Sequence, residues 1–307
     1  MHIHIPYFDY MKFSRRGLYF SAALIVISFF LMLFKGFNLG LEFTGGATIE
    51  LQFAQTADIP KIRETVDKFH PNASVVQYGS SRDVQITFGE LKDKDTDALL
   101  SEMVAGLKKA YPDAVLMGQS KIGGQYREEL IEKGITALVL SCLGMVLYLG
   151  LRFEWKFALG AVLADIHDIV VVAAVFSLMG WTFDLNVLAA LLAILGYSVN
   201  DTVVLYDRIR ENMRLMSNKK TVQEIINHSI QQTMTRTVIT SLTTMLAVIA
   251  LLIWGGTTLF GFSIAMFLGI LIGTYSSIFV ATSLVKEMDL KHEDLLPKKR
   301  KQLDDLP

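Results

Sequence analysis

The sequence predicts a multi-span α-helical membrane protein of six transmembrane helices, with a ferredoxin-like α+β domain inserted between helices 1 and 2. Three observations lead to this fold class. The chain of 307 residues is 52% hydrophobic and only 19% charged, whereas soluble domains carry about 25% charged residues. Six apolar segments are each long enough to cross a hydrocarbon core about 30 Å thick. The polar stretch between the first two segments alternates strand-like and helix-like patterns.

The six apolar segments are the predicted membrane spans. They run from Leu18 to Phe34, Ile135 to Leu151, Phe157 to Met179, Leu185 to Tyr206, Val238 to Trp254 and Leu259 to Val285. Basic residues precede the first segment as in a signal peptide. Because no small-residue cleavage site follows it, we interpret this segment as an uncleaved anchor.

Basic residues between the spans predict the orientation of the chain. They are Arg152 and Lys156 after span two, Arg208, Arg210, Arg214, Lys219 and Lys220 after span four, and Lys298, Lys299, Arg300 and Lys301 in the tail. The short loops at the opposite ends of the spans contain no lysine or arginine. The positive-inside rule therefore predicts that both termini are cytoplasmic and that the inserted domain is periplasmic.

The inserted domain has the element order βαββαβ, which is typical of a ferredoxin-like fold. Predicted strands are Thr48 to Phe53, Ser74 to Tyr78, Val84 to Phe88 and Ala114 to Met117; predicted helices are Ile59 to Phe69 and Thr96 to Tyr111; a turn is predicted from Gly79 to Asp83. The chain is thus divided into an N-terminus with helix 1 (1–35), the periplasmic domain (36–133), helices 2–6 (134–286) with a cytoplasmic loop (207–236) predicted as an amphipathic helix, and a cytoplasmic tail (287–307).

Two charged residues near the predicted cytoplasmic ends of spans four and five indicate an ion pathway. A charge inside hydrocarbon costs about 2.5–3.5 kcal/mol even on insertion scales, so such residues are functional candidates. Asp201 lies about 24 Å along span four at 1.5 Å per residue. Arg236 precedes span five at the same cytoplasmic side, so the two are predicted to lie close together. The alternatives are that Arg236 snorkels to the interface and that Asp201 is a structural polar group.

Further polar residues flank this pair along the predicted helices. The candidate pathway comprises Asp201 and Arg236 together with Asp168, Ser198, Asn200 and Thr240. Asp168 shares a helix face with Asp165, and either a helix–helix hydrogen bond or a relay role fits its position. His167 points about 100° away from Asp168 on the helix. It is either a neutral packing group or a titrating member of the pathway, and the sequence favours packing.

Several functional classes are disfavoured by the sequence. A net charge of −1 argues against a nucleic-acid-binding protein, which needs a basic face. A single cysteine, Cys142, excludes an internal disulfide. No glycine-rich phosphate-binding loop is present, and the histidines show no metal-ligand spacing. We therefore expect neither a metal, nor a cofactor, nor an enzymatic activity.

Two sequence motifs carry a resemblance to a known family. One is Gly40-Leu41-Glu42-Phe43-Thr44-Gly45-Gly46; the other is Gly196-Tyr197-Ser198-Val199-Asn200-Asp201-Thr202-Val203-Val204, followed by Thr235-Arg236-Thr237 and Ser241 at span five. Together they resemble the SecF branch of the SecD/SecF family, from the bacterial Sec protein-translocation machinery and the resistance-nodulation-division superfamily. Glu42 departs from the family pattern, which usually has aspartate there.

The resemblance implies one half of a resistance-nodulation-division unit in the bacterial cytoplasmic (inner) membrane. SecD would supply the other half in a heterodimer, and the proton or sodium motive force would drive late-stage preprotein translocation and release. The implied partners are SecD, the SecYEG channel, SecA, YajC, the preprotein and membrane lipids. Gly40, Glu42, Phe43, Gly45, Gly46 and Gly196 would be structural residues of the two motifs. The choice between proton and sodium stays open.

Two alternative functions are less consistent with the sequence. A small-molecule or lipid exporter of the same superfamily usually carries both halves in one longer chain. An intramembrane aspartyl protease would pair Asp168 with Asp201, because two such carboxylates share a proton. Asp201, however, lies in Gly-Tyr-Ser-Val-Asn-Asp and not in the Gly-x-Gly-Asp expected of that class.

Overall fold

The computed structural model describes residues 8–71, 73–78, 80–89, 95–216, 219–256 and 258–290. A 3-10 turn (Tyr10–Phe13) precedes α1 (Ser14–Lys35), β1 (Asn38–Leu39), α2 (Leu41–Thr44), β2 (Gly46–Gln52), α3 (Ile59–Asp67), β3 (Ser74–Tyr78), β4 (Ser80–Phe88), α4 (Thr96–Ala110), β5 (Val115–Ile122), α5 (Gly124–Arg152), α6 (Trp155–Met179), β6 (Thr182–Phe183), α7 (Leu185–Met216), α8 (Val222–Trp254), α9 (Phe260–Ser276), a π-helical segment (Ser277–Ala281) and α10 (Thr282–Glu287). The basic cluster predicted at 298–301 lies outside the described residues.

Six of these helical stretches are long and apolar enough to cross a membrane: α1, α5, α6, α7, α8 and the continuous stretch from α9 to α10. This confirms the predicted six-span architecture. About half of the apolar part of α6, α7 and the last span is buried, whereas α1, α5 and α8 are mostly exposed. The bundle therefore has α6, α7 and α9 at its centre.

Glycines allow α9 to approach α7 closely. A Cβ atom at Gly269 would lie 2.3 Å from Ile194 Cγ1, and one at Gly273 would lie 3.3 Å from Ser198 Oγ. Small residues at four-residue spacing let helix backbones come together. The last span therefore packs directly against the polar part of α7.

The predicted cytoplasmic loop 207–236 consists mostly of extensions of α7 and α8. The extension of α8 begins with a capping box, in which the Thr221 hydroxyl accepts from the Glu224 backbone N–H and the Glu224 carboxylate accepts from the Thr221 N–H. Asn212 Nδ2 donates to Ser229 Oγ and to Gln232 Oε1, each at 2.8 Å. These bonds hold the two extensions against each other.

The inserted domain contains an antiparallel sheet in the order β3-β4-β2-β5. This is the strand order of a ferredoxin-like βαββαβ unit, so the prediction is confirmed. Alternating residues of β2 and β4 are buried against α3 and α4, which forms a separate core. One detail was wrong: β4 already begins at Ser80, where a longer turn was predicted. The helix α5 begins at Gly124, within the range 36–133 that the sequence analysis assigned to the domain.

A short parallel strand pair ties the inserted domain to the membrane bundle. Asn38 and Leu39 of β1 pair with Thr182 and Phe183 of β6, which lies between α6 and α7. The backbone N–H of Gly40 extends the pairing by donating to Phe183 O at 2.9 Å. The chain leaving α1 is thereby fixed to the ends of α6 and α7 that β6 connects, before it enters the domain.

Candidate functional site

Asp168 of α6 lies fully buried at the centre of the bundle. Its Oδ2 atom accepts hydrogen bonds from Ser198 Oγ of α7 and from Ser276 Oγ of α9, each at 2.8 Å. Three helices therefore converge on one carboxylate. Hydrogen bonds to a charged acceptor are roughly twice as strong as neutral ones, so this junction stabilises the contact between α6, α7 and α9.

His167 also forms a hydrogen bond with Asp168, although the sequence favoured the packing interpretation of the two that were open. Its Nδ1 atom lies 3.0 Å from Asp168 Oδ1 in a hydrogen bond. Neighbouring residues point about 100° apart on a helix, but the imidazole arm is long enough to turn back to the next side chain. The other ring nitrogen, Nε2, is buried and has no hydrogen-bond partner among the described residues.

Asp165 lies one helical turn before Asp168 and is 2% exposed. Neither of its carboxylate oxygens has a hydrogen-bond partner in the part of the chain that the structure describes. The sequence prediction placed Asp168 in the pathway without Asp165, although their three-residue spacing was the available signal. Ser276 was also missed, because a serine in an apolar helix commonly bonds its own backbone.

Asp201 is 6% exposed on the bundle side of α7, and Arg236 is exposed on α8. The charge of Arg236 acts on the Asp201 carboxylate. No ion pair within 4.0 Å joins the two in the described structure, so the predicted proximity does not extend to direct contact. The two side chains therefore interact through their charges without forming a direct ion pair.

Two of the predicted pathway residues, Asn200 and Thr240, do not join the Asp168 cluster. Asn200 faces outward from α7, and the Thr240 hydroxyl bonds only its own helix, α8. Asn200 is exposed, and so is Gly196, whose Cβ position is open space. The Thr240 hydroxyl donates to the backbone carbonyls of Arg236 and Thr237, both at 3.0 Å. The structure thus gathers Asp168 with Ser198 in one cluster and leaves Asn200 and Thr240 outside it.

The glycine-rich motif forms the junction between the strand pair and the inserted domain. Gly45 and Gly46 have φ angles of +70° and +117°, which favour glycine because other residues carry a Cβ atom. A Cβ at Gly46 would lie only 2.1 Å from Phe88 O. Phe43 packs its ring against Phe183 of β6. The motif therefore makes a tight turn against both β4 and the bundle.

Glu42 lies half-buried in this junction, where its carboxyl is close to Asp184. Burial raises the pKa of Glu42, its own backbone N–H partly offsets this effect, and the negative charge of Asp184 raises the pKa further. Asp184 caps the start of α7 by accepting from the Val187 N–H at 2.9 Å. The start of α7 thus adjoins the glycine-rich motif that leads into the inserted domain. No group of three or more potential metal ligands occurs among the described residues.

Comparisons with known proteins agree with this architecture. A family model described as "Protein export membrane protein SecD/SecF, C-terminal" matches residues 102–291, and one described as "SecD/SecF GG Motif" matches residues 30–57. The chain is 42% identical to "Protein translocase subunit SecF" of Pseudomonas aeruginosa over 311 aligned residues, which covers 100% of both chains. The chain belongs to the SecF branch of the SecD/SecF family. A second SecF, from Vibrio alginolyticus, is 40% identical and covers 97% of this chain and 96% of that relative.

The SecF-type chain also matches solved structures. The crystal structure of SecDF from Thermus thermophilus, described as a translocon-associated membrane protein, matches with a TM-score of 0.85 and 33% identity. The match covers 94% of this chain but 39% of that one, so the chain corresponds to less than half of SecDF. A SecDF structure in a "super-membrane-facing form" covers the same share of this chain with a TM-score of 0.68. The arrangement of the matched parts therefore differs between the two SecDF structures.

Proposed function

We propose that this chain is a SecF subunit that works with SecD to drive late-stage preprotein translocation and release by the proton or sodium motive force. The single observation that carries the proposal is Asp201, a carboxylate buried in a membrane-spanning helix and subject to the charge of Arg236. Such a residue is costly in a membrane, which makes it by default a candidate for an ion pathway. The SecF relatives supply the link to protein translocation.

The proposed cycle follows from the different chemistry of the two side chains. Arg236 keeps its charge under all physiological conditions, so it acts as a fixed cation. Asp201 attracts Arg236 when ionised and loses that attraction when it binds a proton or a sodium ion. One charge that crosses 100 mV releases about 2.3 kcal/mol. Ion binding at Asp201 therefore weakens the attraction between α7 and α8, and the ion gradient supplies the free energy for this change.

The outward-facing polar residues support a second membrane subunit beside α7 and α8. Asn200 and Arg236 are exposed in this chain, and polar groups facing hydrocarbon are unfavourable unless another protein or water covers them. The larger SecDF chain, of which this chain matches 39%, has room for such a second half. We assign that half to SecD. Association with SecYEG, SecA, YajC and the preprotein, and the cytoplasmic position of both termini, are parts of the same proposal.

The strand pair provides a route from the bundle to the periplasmic domain. It joins the chain after α1 to the outer end of α7, the helix that carries Asp201. Movement of α7 therefore pulls on the hinge at Gly45 and Gly46. The difference between the two SecDF structures supports such rearrangement in the family. The proposed domain division remains 1–35, 36–133, 134–286 and 287–307.

The proposal includes no catalytic step. An aspartyl protease would hold two carboxylates together around one shared proton. Asp168 is fully buried and instead accepts from Ser198 and Ser276 and bonds His167. These three contacts occupy the carboxylate that a protease would pair with Asp201.

The test is gradient-dependent completion of preprotein translocation in membrane vesicles that contain SecD. We compare the wild type, Asp201→Asn and Arg236→Met while the proton and sodium gradients are varied separately. Ser263→Ala is the matched control, because Ser263 is a buried hydroxyl in α9 without a hydrogen-bond partner in the described structure. We expect both charge variants to assemble and to lose the gradient-dependent step. Wild-type translocation by both would refute the proposal.

A further inference from the structure

A second buried polar cluster lies in the bundle apart from Asp201 and Arg236. We call it the inner relay; it consists of Asp165, His167, Asp168 and Ser198. Two members of the inner relay lack hydrogen-bond partners: the Asp165 oxygens and His167 Nε2 are buried and have none among the described residues. These are the two open ends of the cluster. Buried polar groups are nearly always hydrogen-bonded. The two open ends therefore require an explanation.

The hydrogen-bond inventory of Ser198 determines what Asp165 needs. A serine hydroxyl has one hydrogen to donate and two lone pairs to accept with. Ser198 donates its hydrogen to Asp168 Oδ2 at 2.8 Å, so it has none left for Asp165, which lies beside it. It still has a free lone pair. Asp165 can complete a hydrogen bond with Ser198 only by being the donor, and a carboxyl group donates only when it carries a proton.

The charges around Asp165 lead to the same requirement. Among the described residues, the ionisable groups that face the inner relay are Tyr206 of α7 and Tyr275 of α9, in addition to its own members. Tyr206 is unable to donate to Asp165, because its hydroxyl donates to Ala281 O at 3.1 Å. No lysine or arginine of the described segments acts on Asp165. An ionised carboxylate buried without a counter-charge takes up a proton instead.

We propose that Asp165 holds a proton in this arrangement and that the inner relay is a second proton site of the transport unit. In the forward step, the Asp165 O–H bond breaks as Ser198 accepts the proton, and Ser198 passes its own hydrogen to Asp168. Asp165 is then ionised and Asp168 neutral, so total charge is unchanged. This inference rests on the proposed function for its role in transport.

The step is coupled to the shape of the bundle. After transfer, the hydrogen that Ser198 received points back to Asp165, so Ser198 is the one donor of the inner relay that an ionised Asp165 gains. Asp168 in its ionised form is bonded instead by Ser198, Ser276 and His167, and once neutral it no longer attracts them as a charged acceptor would. Transfer is therefore favourable only when α6, α7 and α9 rearrange to give Asp165 further donors. Because Ser198 lies three residues before Asp201 on α7, the same movement reaches the Asp201 site. His167 Nε2 offers the second open position for the proton.

The proton itself is tested by infrared spectroscopy of the full chain with SecD at neutral pH. Aspartate labelled with ¹³C in its carboxyl group identifies aspartic acid bands in the wild type without any substitution. We expect a labelled band of a protonated carboxyl group that Ser263→Ala retains and Asp165→Asn loses. Absence of that band in the wild type would overturn the inference. So would its disappearance on adding sodium at constant pH, which would mean that a cation occupies the site.

The role in transport is tested in the vesicle assay. Asparagine at position 165 can still donate to Ser198 but holds no transferable proton, so the fold is retained and the gradient-dependent step is lost. If Asp201→Asn loses this step while Asp165→Asn keeps it, the inference fails and the proposed function stands. If both variants keep the step, the proposed function fails too, and the infrared band alone then decides whether Asp165 is protonated.

Discussion

Replacement of Gly46 by alanine should destabilise the inserted domain more than any other glycine replacement in the hinge. The structure gives two reasons. At a φ of +117°, a residue with a Cβ atom is strained by about 1–3 kcal/mol. The new Cβ atom would also lie 2.1 Å from Phe88 O and 2.8 Å from Gly89 Cα. Phe88 is unable to yield freely, because it is buried and pairs with Ala47 in the ladder between β2 and β4.

The steric contribution is comparable to overpacking of a core, which costs about 1–3 kcal/mol. Gly46→Ala should therefore cost about 2–6 kcal/mol in total, against a typical domain stability of about 5–15 kcal/mol. Two controls separate the causes. Gly36 has a φ of +69° with open space at its Cβ position, so Gly36→Ala tests strain alone. Gly89 has open space and no positive φ, so Gly89→Ala should have little effect.

The assay is amide hydrogen exchange of β2 and β4 in the full-length protein, read by mass spectrometry. Exchange through unfolding of the domain reports its stability directly. We expect the fastest exchange in Gly46→Ala, an intermediate change near the hinge in Gly36→Ala and wild-type exchange in Gly89→Ala. Exchange in Gly46→Ala equal to that in Gly89→Ala would refute the reasoning.

Two further predictions concern the hinge carboxyl and the helix contact. Burial raises the pKa of Glu42, so the folded hinge binds a proton at Glu42 more tightly than the unfolded chain does. The stability that this proton contributes to the folded hinge is complete below the pKa of Glu42 in the unfolded chain. It is lost as the pH rises through the pKa of Glu42 in the folded chain. Because Glu42 is partly exposed, Glu42→Gln should remove only about a few tenths of a kcal/mol of this pH-dependent stability. The measurement is amide hydrogen exchange at residues 38–46 as a function of pH, corrected for intrinsic exchange rates. A pH dependence of exchange in Glu42→Gln equal to that of the wild type would contradict the prediction. Gly269→Ala should lower the free energy of unfolding by about 1–3 kcal/mol, measured by thermal unfolding, because the new Cβ atom meets Ile194. Adding Ile194→Ala to the same chain should recover part of that lost stability. If the losses of the two single variants simply add in the double variant, this contact is not the cause.

Hydropathy and strand patterns were sufficient to predict the six spans and the βαββαβ order. Helix ends were predicted less well, because hydropathy detects contact with lipid and not helix formation. α7 continues to Met216 and α8 begins at Val222, since polar amphipathic turns extend both helices beyond the membrane. The β1–β6 pair was missed because two-residue strands leave no periodic pattern.

The sequence singled out Asp168 and Ser198 as candidate residues, but it did not predict the contacts between them. Helical spacing placed Asp165 and Asp168 on one face, and it also suggested that His167 points elsewhere. Angles along one helix do not account for the reach of a long side chain or for donors on other helices, such as Ser276. Similarly, equal depth of Asp201 and Arg236 indicated proximity, while the exposure of Arg236 depends on a tertiary arrangement that one-dimensional patterns do not specify.

Ion flux across vesicle membranes during preprotein translocation tests the central claim most directly. Vesicles that contain this chain and SecD are loaded with a proton-sensitive or a sodium-sensitive dye, and flux is compared with and without translocating preprotein. We predict translocation-coupled flux of one ion in the wild type and in Ser263→Ala, and none in Asp201→Asn. Equal coupled flux in Asp201→Asn would contradict the account, because the ion would then cross without the buried carboxylate on α7.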